Sequence, residues 1–276
     1  MLKSQKKLKM KNNDFIEETG NGEELMTFGE HLEALRKMLF QLIGIVGVLI
    51  VVIFTFKTAV WKIILAPSSS DFILYRFLQK ALVFSGAPFR FENFDVKLIN
   101  TELASQFMLH LQTTAYFALL ASSPYIVYRL FRYISPALYE HEKRYSIALI
   151  FSSYGLFALG LLVNYFIVFP FSFRFLGTYQ VDESITNTIT LASYITSFTT
   201  LSLMMGLVFQ IPILAYFLAK FKLITADLLK KYRRYALFII VVVAAIITPP
   251  DIFSCILTTI PMYLLYEVSI RVVKKV

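Results

Sequence analysis

Four stretches of this sequence run for about twenty residues each without Lys, Arg, Asp or Glu: Met38 to Phe56, Phe107 to Tyr128, Ile147 to Phe169 and Ser197 to Ala219. As helices, at about 1.5 Å rise per residue, each is close to the length that crosses about 30 Å of hydrocarbon. Such a chain cannot cover itself with polar surface in water. It is 57% hydrophobic and 16% charged, whereas about a quarter of an average soluble domain is charged. In lipid the backbone must satisfy its own hydrogen bonds, and spans of this length do so as helices. The fold class that follows is an all-α, polytopic integral membrane protein.

Two further apolar segments, Tyr235 to Ile247 and Ile252 to Ile270, are separated only by Thr248, Pro249, Pro250 and Asp251. No helix runs through that break. The expectation is therefore six transmembrane helices, the last two forming a short helical hairpin. As a helix of about 13 residues the fifth span covers only about 20 Å, so either the bilayer thins there or the Pro-Pro tip sits inside it. Pro124, Pro212 and Pro261 are expected to kink spans two, four and six. The chain divides into an N-terminal segment (1–37), a membrane domain (38–270) with a long loop at 57–105, and a tail (271–276). That loop carries Phe72, Tyr75, Phe77, Leu78 and further apolar residues, and reads as short amphipathic helices on the membrane surface.

Orientation follows from the basic residues. The segments on the N-terminal side of the membrane hold seven, four, six and three Lys or Arg, and those on the other side hold six, one and none. The positive-inside rule then places both termini in the cytoplasm, with the chain in the cell (inner) membrane. The net charge of +9 is explained by these loops, so it is not a nucleic-acid signature.

Chemistry narrows the function. His31, His110 and His141 fall in three separate segments, Cys255 is the single cysteine, and no glycine-rich phosphate loop is present. The reading is a non-enzymatic protein with no metal and no cofactor. The polar residues well inside the spans are His110, Gln112, Asn164 and Gln210. Gln210 stands before Pro212, whose missing N–H frees a carbonyl; its amide either faces a cavity or partner helix or bonds its own helix.

Four stretches together resemble the TatC family, the polytopic subunit of the twin-arginine protein translocase. They are Phe28-Gly-Glu-His-Leu-Glu-Ala-Leu-Arg-Lys37, Tyr133-Ile-Ser-Pro-Ala-Leu-Tyr-Glu-His-Glu-Lys-Arg144, Phe209-Gln-Ile-Pro212, and Thr248-Pro-Pro-Asp-Ile-Phe-Ser254 followed by Ile260-Pro-Met-Tyr-Leu-Leu-Tyr-Glu267. They occur in the family's order and at its spacing relative to six spans.

The resemblance implies a subunit that recognises twin-arginine signal peptides. With single-span partners of the TatA/TatB type, it would move folded proteins across the bilayer on the proton-motive force, with self-association. It implies signal-peptide binding by Glu142, Glu33, Glu30, Tyr133, Arg36 and Pro136, partner-helix contact at Gln210 and Pro212, and a hairpin at Pro249, Pro250 and Asp251. Carboxylates suit the task because a guanidinium makes bidentate, charge-assisted bonds to them. This chain departs from the family in having Ala34 directly before Leu-Arg, where Glu is usual. That leaves Glu142 as the principal candidate. Glu267 is expected to pair with Arg271 one turn later, and Asp251 to cap the helix after it. A secondary transporter for a small solute is the alternative, although the charges within spans and the broken-helix repeats it would need are missing.

Overall fold

The computed structural model describes residues 28–84, 96–134, 143–182, 184 and 187–275. By compactness the chain separates into Met1–Gln41 and Leu42–Val276. Helix α1, Phe28–Thr55, is the described part of the first unit and continues into the second. Short helices follow: α2 Lys57–Leu65, a 3₁₀ turn at Ala66–Ser68, and α3 Ile73–Phe84. A strand β1, Leu98–Ile99, precedes the long α4, Ser105–Ile134. Next come α5 Lys143–Val163, a π-helical turn Asn164–Val168, and α6 Phe169–Thr178. Strand β2, Ile189–Thr190, pairs in parallel with β1 and leads into α7 Leu191–Val208. The chain ends with α8 Ile211–Lys220, α9 Ala226–Lys231, α10 Arg233–Ile247 and α11 Ile252–Val273.

Among the described residues, four helical stretches are long and apolar enough to cross a membrane: Leu32–Thr55, Ile147–Thr178, Leu191–Lys220 and Ile252–Val273. Helices also occupy the other two expected positions. α4 is diluted by buried polar residues such as His110, Thr113, Thr114, Ser122 and Ser123. α10 has 15 residues, about 22 Å of helix.

The three prolines behave differently. Pro212 interrupts its span: α7 stops at Val208 and α8 restarts with Pro212 in its first turn, where a missing N–H costs nothing. Pro124 and Pro261 lie inside the continuous helices α4 and α11. A fourth, Pro170, stands in the first turn of α6, immediately after the π turn. A π turn is one way a helix accommodates the carbonyl and ring of a proline ahead.

The segment after α1 packs on protein, where the sequence pointed to the membrane surface. Ile64, Phe72 and Tyr75 are buried in one cluster with Phe169, Phe173, Tyr194 and Phe198; Phe77, on the other side of α3, is exposed. Tyrosine hydroxyls fasten it. Tyr194 donates to the Ile64 carbonyl at 2.7 Å and Tyr165 to the Ile63 carbonyl at 2.9 Å, satisfying acceptors at the C-terminal end of α2 that have few helical partners. Tyr75 donates to the Pro170 carbonyl at 2.7 Å. Burial raises the Tyr75 hydroxyl above the ordinary phenol range, against the opposing pull of Arg174, so it remains a donor.

Candidate functional site

Helices α5 and α7 form the polar seam of the large unit. Their contacts pair residues whose numbers run in opposite directions, so the helices are antiparallel. Near one end, Ser153 Oγ donates to Gln210 Oε1 at 2.5 Å and Gln210 Nε2 donates to the Ser153 carbonyl at 3.1 Å. Near the other, Asn164 Nδ2 donates to Ser202 Oγ at 2.7 Å. Between these clasps two glycines let the helices meet. A Cβ on Gly160 would stand 2.7 Å from the Met205 carbonyl oxygen and 2.9 Å from Cγ of Phe209; one on Gly206 would stand 2.6 Å from the Phe157 ring. Each phenylalanine thus covers the glycine of the other segment. Small residues of this kind let helix backbones approach closely in lipid, where dispersion and hydrogen bonds, not water exclusion, hold helices together.

The described side-chain bonds of Gln210 reach across to Ser153 and not to carbonyls of its own helix. Interhelical polar pairs in lipid contribute about 0.6 to 2 kcal/mol. Gln210→Leu and Ser153→Ala should therefore each lower the melting temperature in detergent, and the double variant should lose little more than the worse single one. Fully additive losses would mean that the two side chains act independently.

A third polar pair joins Gln112 Nε2 of α4 to Thr199 Oγ1 of α7 at 3.3 Å. His110 is buried with its ring stacked on Phe54, centroids 4.2 Å apart. Asn164 is fully buried at the start of the π turn, with Oδ1 unpartnered.

The last hairpin is clasped at both ends. At the tip, Asp251 caps α11, its Oδ1 accepting from Ser254 N–H at 2.6 Å. At the base, Glu267 pairs with Arg233 Nη2 at 2.8 Å and accepts from the Tyr263 hydroxyl at 3.2 Å. The expected i, i+4 partner Arg271 is thus replaced by a residue 34 positions earlier, because the hairpin lays the 230–234 basic cluster beside the end of α11. Tyr266 adds a bond to the Leu229 carbonyl at 2.7 Å.

The residues expected to bind a signal peptide fall in different places. Glu30, Glu33 and Arg36 lie on α1 within Met1–Gln41; Glu33 and Arg36 are exposed, and the Arg36 guanidinium lies 5.6 Å from the Phe40 ring centroid. Tyr133 is the penultimate residue of α4, half-buried. Pro136 and Glu142 lie outside the described residues. Sequence reading missed the two seam glycines and Pro170. The spacing Ser202-x-x-x-Gly206, a small-xxx-small pattern, was the available signal for the first.

Comparison with known proteins covers nearly all of this architecture. The family described as Sec-independent protein translocase protein (TatC) matches residues 30–261. A protein of that name from Blattabacterium sp. subsp. Periplaneta americana is 36% identical over 256 residues, 91% of this chain and 96% of the relative. One from Campylobacter jejuni is 30% identical over 247 residues, 89% and 93% of the two chains. A crystal structure described as the twin-arginine translocase receptor TatC superimposes with a TM-score of 0.70 at 32% identity, covering 89% of this chain and 99% of that one.

Proposed function

The chain belongs to the TatC family of Sec-independent protein translocase proteins, and on that footing we propose that it is the receptor subunit that binds twin-arginine signal peptides. The observation that carries this reading is the family match running from residue 30 through residue 261, which takes in Glu33, Arg36, Tyr133, Pro136 and Glu142. In this reading Glu142 is the main carboxylate for the guanidinium pair, and Glu30 and Glu33 are the further candidates in a chain that has Ala34 where a glutamate is usual. The chain crosses the inner membrane six times with both termini in the cytoplasm. The Gln210–Pro212 segment, with the Gln210 amide held by Ser153, packs against a single-span TatA/TatB-type helix, the chain self-associates, and the assembly moves folded cargo on the proton-motive force. The role is non-enzymatic.

The test is export of a folded fluorescent reporter behind a twin-arginine signal peptide, in cells supplying this chain and its single-span partners. Export should require the chain and collapse when an ionophore dissipates the proton gradient. Export that continues without the chain, or that ignores the ionophore, contradicts the proposal.

The short final hairpin adds a geometric expectation. About 22 Å of α10 falls short of about 30 Å of hydrocarbon, the basic cluster holds one end at the surface, and a carboxylate at the other end resists burial in lipid. Both ends then stay wet and the bilayer thins locally. Single cysteines at 248–253 in a Cys255→Ala background should react with a membrane-impermeant thiol reagent from outside; full protection would place the tip within the membrane.

A further inference from the structure

Helix α8 ends in a turn that favours glycine and holds a lysine. Leu223 N–H donates to the Leu218 carbonyl at 2.9 Å and Lys222 N–H to the Ala219 carbonyl at 2.8 Å, the paired bonds that close a helix when the residue past its cap turns left-handed. Lys222 takes that position with φ 58°, and among the described residues it is the one non-glycine with positive φ. A Cβ makes this conformation costly, and strain kept in a fold directs attention to the side chain that bears it.

That side chain borders a cleft of about 390 Å³, where the turn after α8, helix α9 and the end of α11 meet. Lys222, Lys230 and Lys274 line it, one from each of these segments. The carboxylate in the lining, Asp227, is bonded to Lys230 Nζ at 3.0 Å. Lys222 and Lys274 are exposed and, among the described residues, have no ion pair. Three lysines against one carboxylate leave two ammonium groups unbalanced.

We propose that this cleft binds the phosphate of an anionic phospholipid. Lysine serves phosphate oxygens as a point charge, and the surplus of ammonium groups favours an anion. Position selects a lipid over a free phosphate. Ala219 and Val273, which also line the cleft, stand at the ends of Leu191–Lys220 and Ile252–Val273, two of the stretches long and apolar enough to cross a membrane. The cleft thus opens at the level where hydrocarbon gives way to head groups. Phe221 and Leu223, on either side of Lys222, are 51% and 66% exposed. Acyl chains cover such apolar surface while the lysine reaches up to the phosphate; a soluble phosphate gains nothing from it.

Native mass spectrometry of the purified full-length chain, given equal amounts of phosphatidylglycerol and phosphatidylcholine with identical acyl chains, reads the first lipid retained. Phosphatidylglycerol should be preferred by about tenfold or more, since each basic residue near an anionic surface adds about fivefold in affinity. Lys222→Gly should cut that preference by about fivefold and yet raise the melting temperature, because glycine takes the left-handed turn without strain. A lysine with a purely structural role would give the second change without the first. Lys274→Gln should cut the preference similarly. Lys80→Gln/Lys97→Gln, which alters two exposed lysines outside the cleft, should keep it. Equal retention of the two lipids by the unaltered chain overturns the proposal, as does an undiminished preference in Lys222→Gly or its loss in Lys80→Gln/Lys97→Gln. Glycerol phosphate that displaces the lipid at matched concentration overturns it too, by making the cleft a site for soluble phosphate.

Discussion

Gly160→Ala is expected to destabilise the protein by about 1 to 3 kcal/mol, and Gly155→Ala, in the same helix, to leave it unchanged or stabilise it by about 0.5 to 1 kcal/mol. The difference lies in what a new methyl group meets. At Gly160 it meets the Met205 carbonyl oxygen at 2.7 Å, a backbone atom that can move only if α7 moves with it. That shift also loosens the Asn164–Ser202 and Ser153–Gln210 clasps on either side. At Gly155 nothing lies within 4 Å, so alanine brings only its better helix propensity. Thermal unfolding of both variants in mild detergent decides the matter. A Gly160→Ala variant no less stable than Gly155→Ala would show that the seam is not closely packed. A larger side chain, Gly160→Leu, should prevent recovery of folded protein altogether.

The second large effect concerns Glu142. Glu142→Gln removes one carboxylate from a site that must neutralise two guanidinium groups, while keeping the side chain's size. A hydrogen bond to a charged group contributes roughly 1.5 to 3 kcal/mol, which corresponds to about a ten- to hundredfold loss of affinity for a twin-arginine peptide. Membrane insertion and melting temperature should be unaffected. Equilibrium binding of a labelled signal peptide to the purified protein measures the loss, and unchanged affinity would remove Glu142 from the site. Glu33→Gln, measured alongside, reports how far a glutamate one residue before Ala34 takes over the missing carboxylate's role.

The helical, membrane-type character of the chain was legible because it rests on local quantities: uninterrupted apolar runs, prolines and the Thr248-Pro-Pro-Asp break. The cap on α11 was legible for the same reason, since Asp251 and Ser254 are three residues apart. What escaped was set by register between segments. Hydropathy assigns Gly155 and Gly160 the same value, yet only Gly160 faces another backbone. Glu267 had an acceptable local partner in Arg271, and only the hairpin's return brings Arg233 to it. In the sequence the aromatic residues at 72 and 75 read as part of a face toward the membrane surface; in the structure they are buried among aromatic residues of other helices, and tyrosine hydroxyls bond the end of α2 and Pro170. Pro170 was visible as a proline within an apolar run, but not the π turn before it.

For the proposed site the limit was chemical. Glutamates beside arginines and lysines in a polar loop look the same whether they pair locally or await a ligand, and local pairing is worth little at a surface. The family resemblance, carried by motifs in order along the chain, singled out Glu142, Glu33 and Glu30. The match over residues 30–261 supports the family, and the role of each glutamate is a matter for binding experiments.

The most direct measurement is the affinity of the unaltered chain, in membranes, for two signal peptides that differ only in Arg-Arg versus Lys-Lys. A site built on carboxylates that hold guanidinium forks should bind the arginine peptide at least tenfold more tightly, because an ammonium cannot make the paired bidentate bonds. Equal affinity for the two peptides would contradict the account.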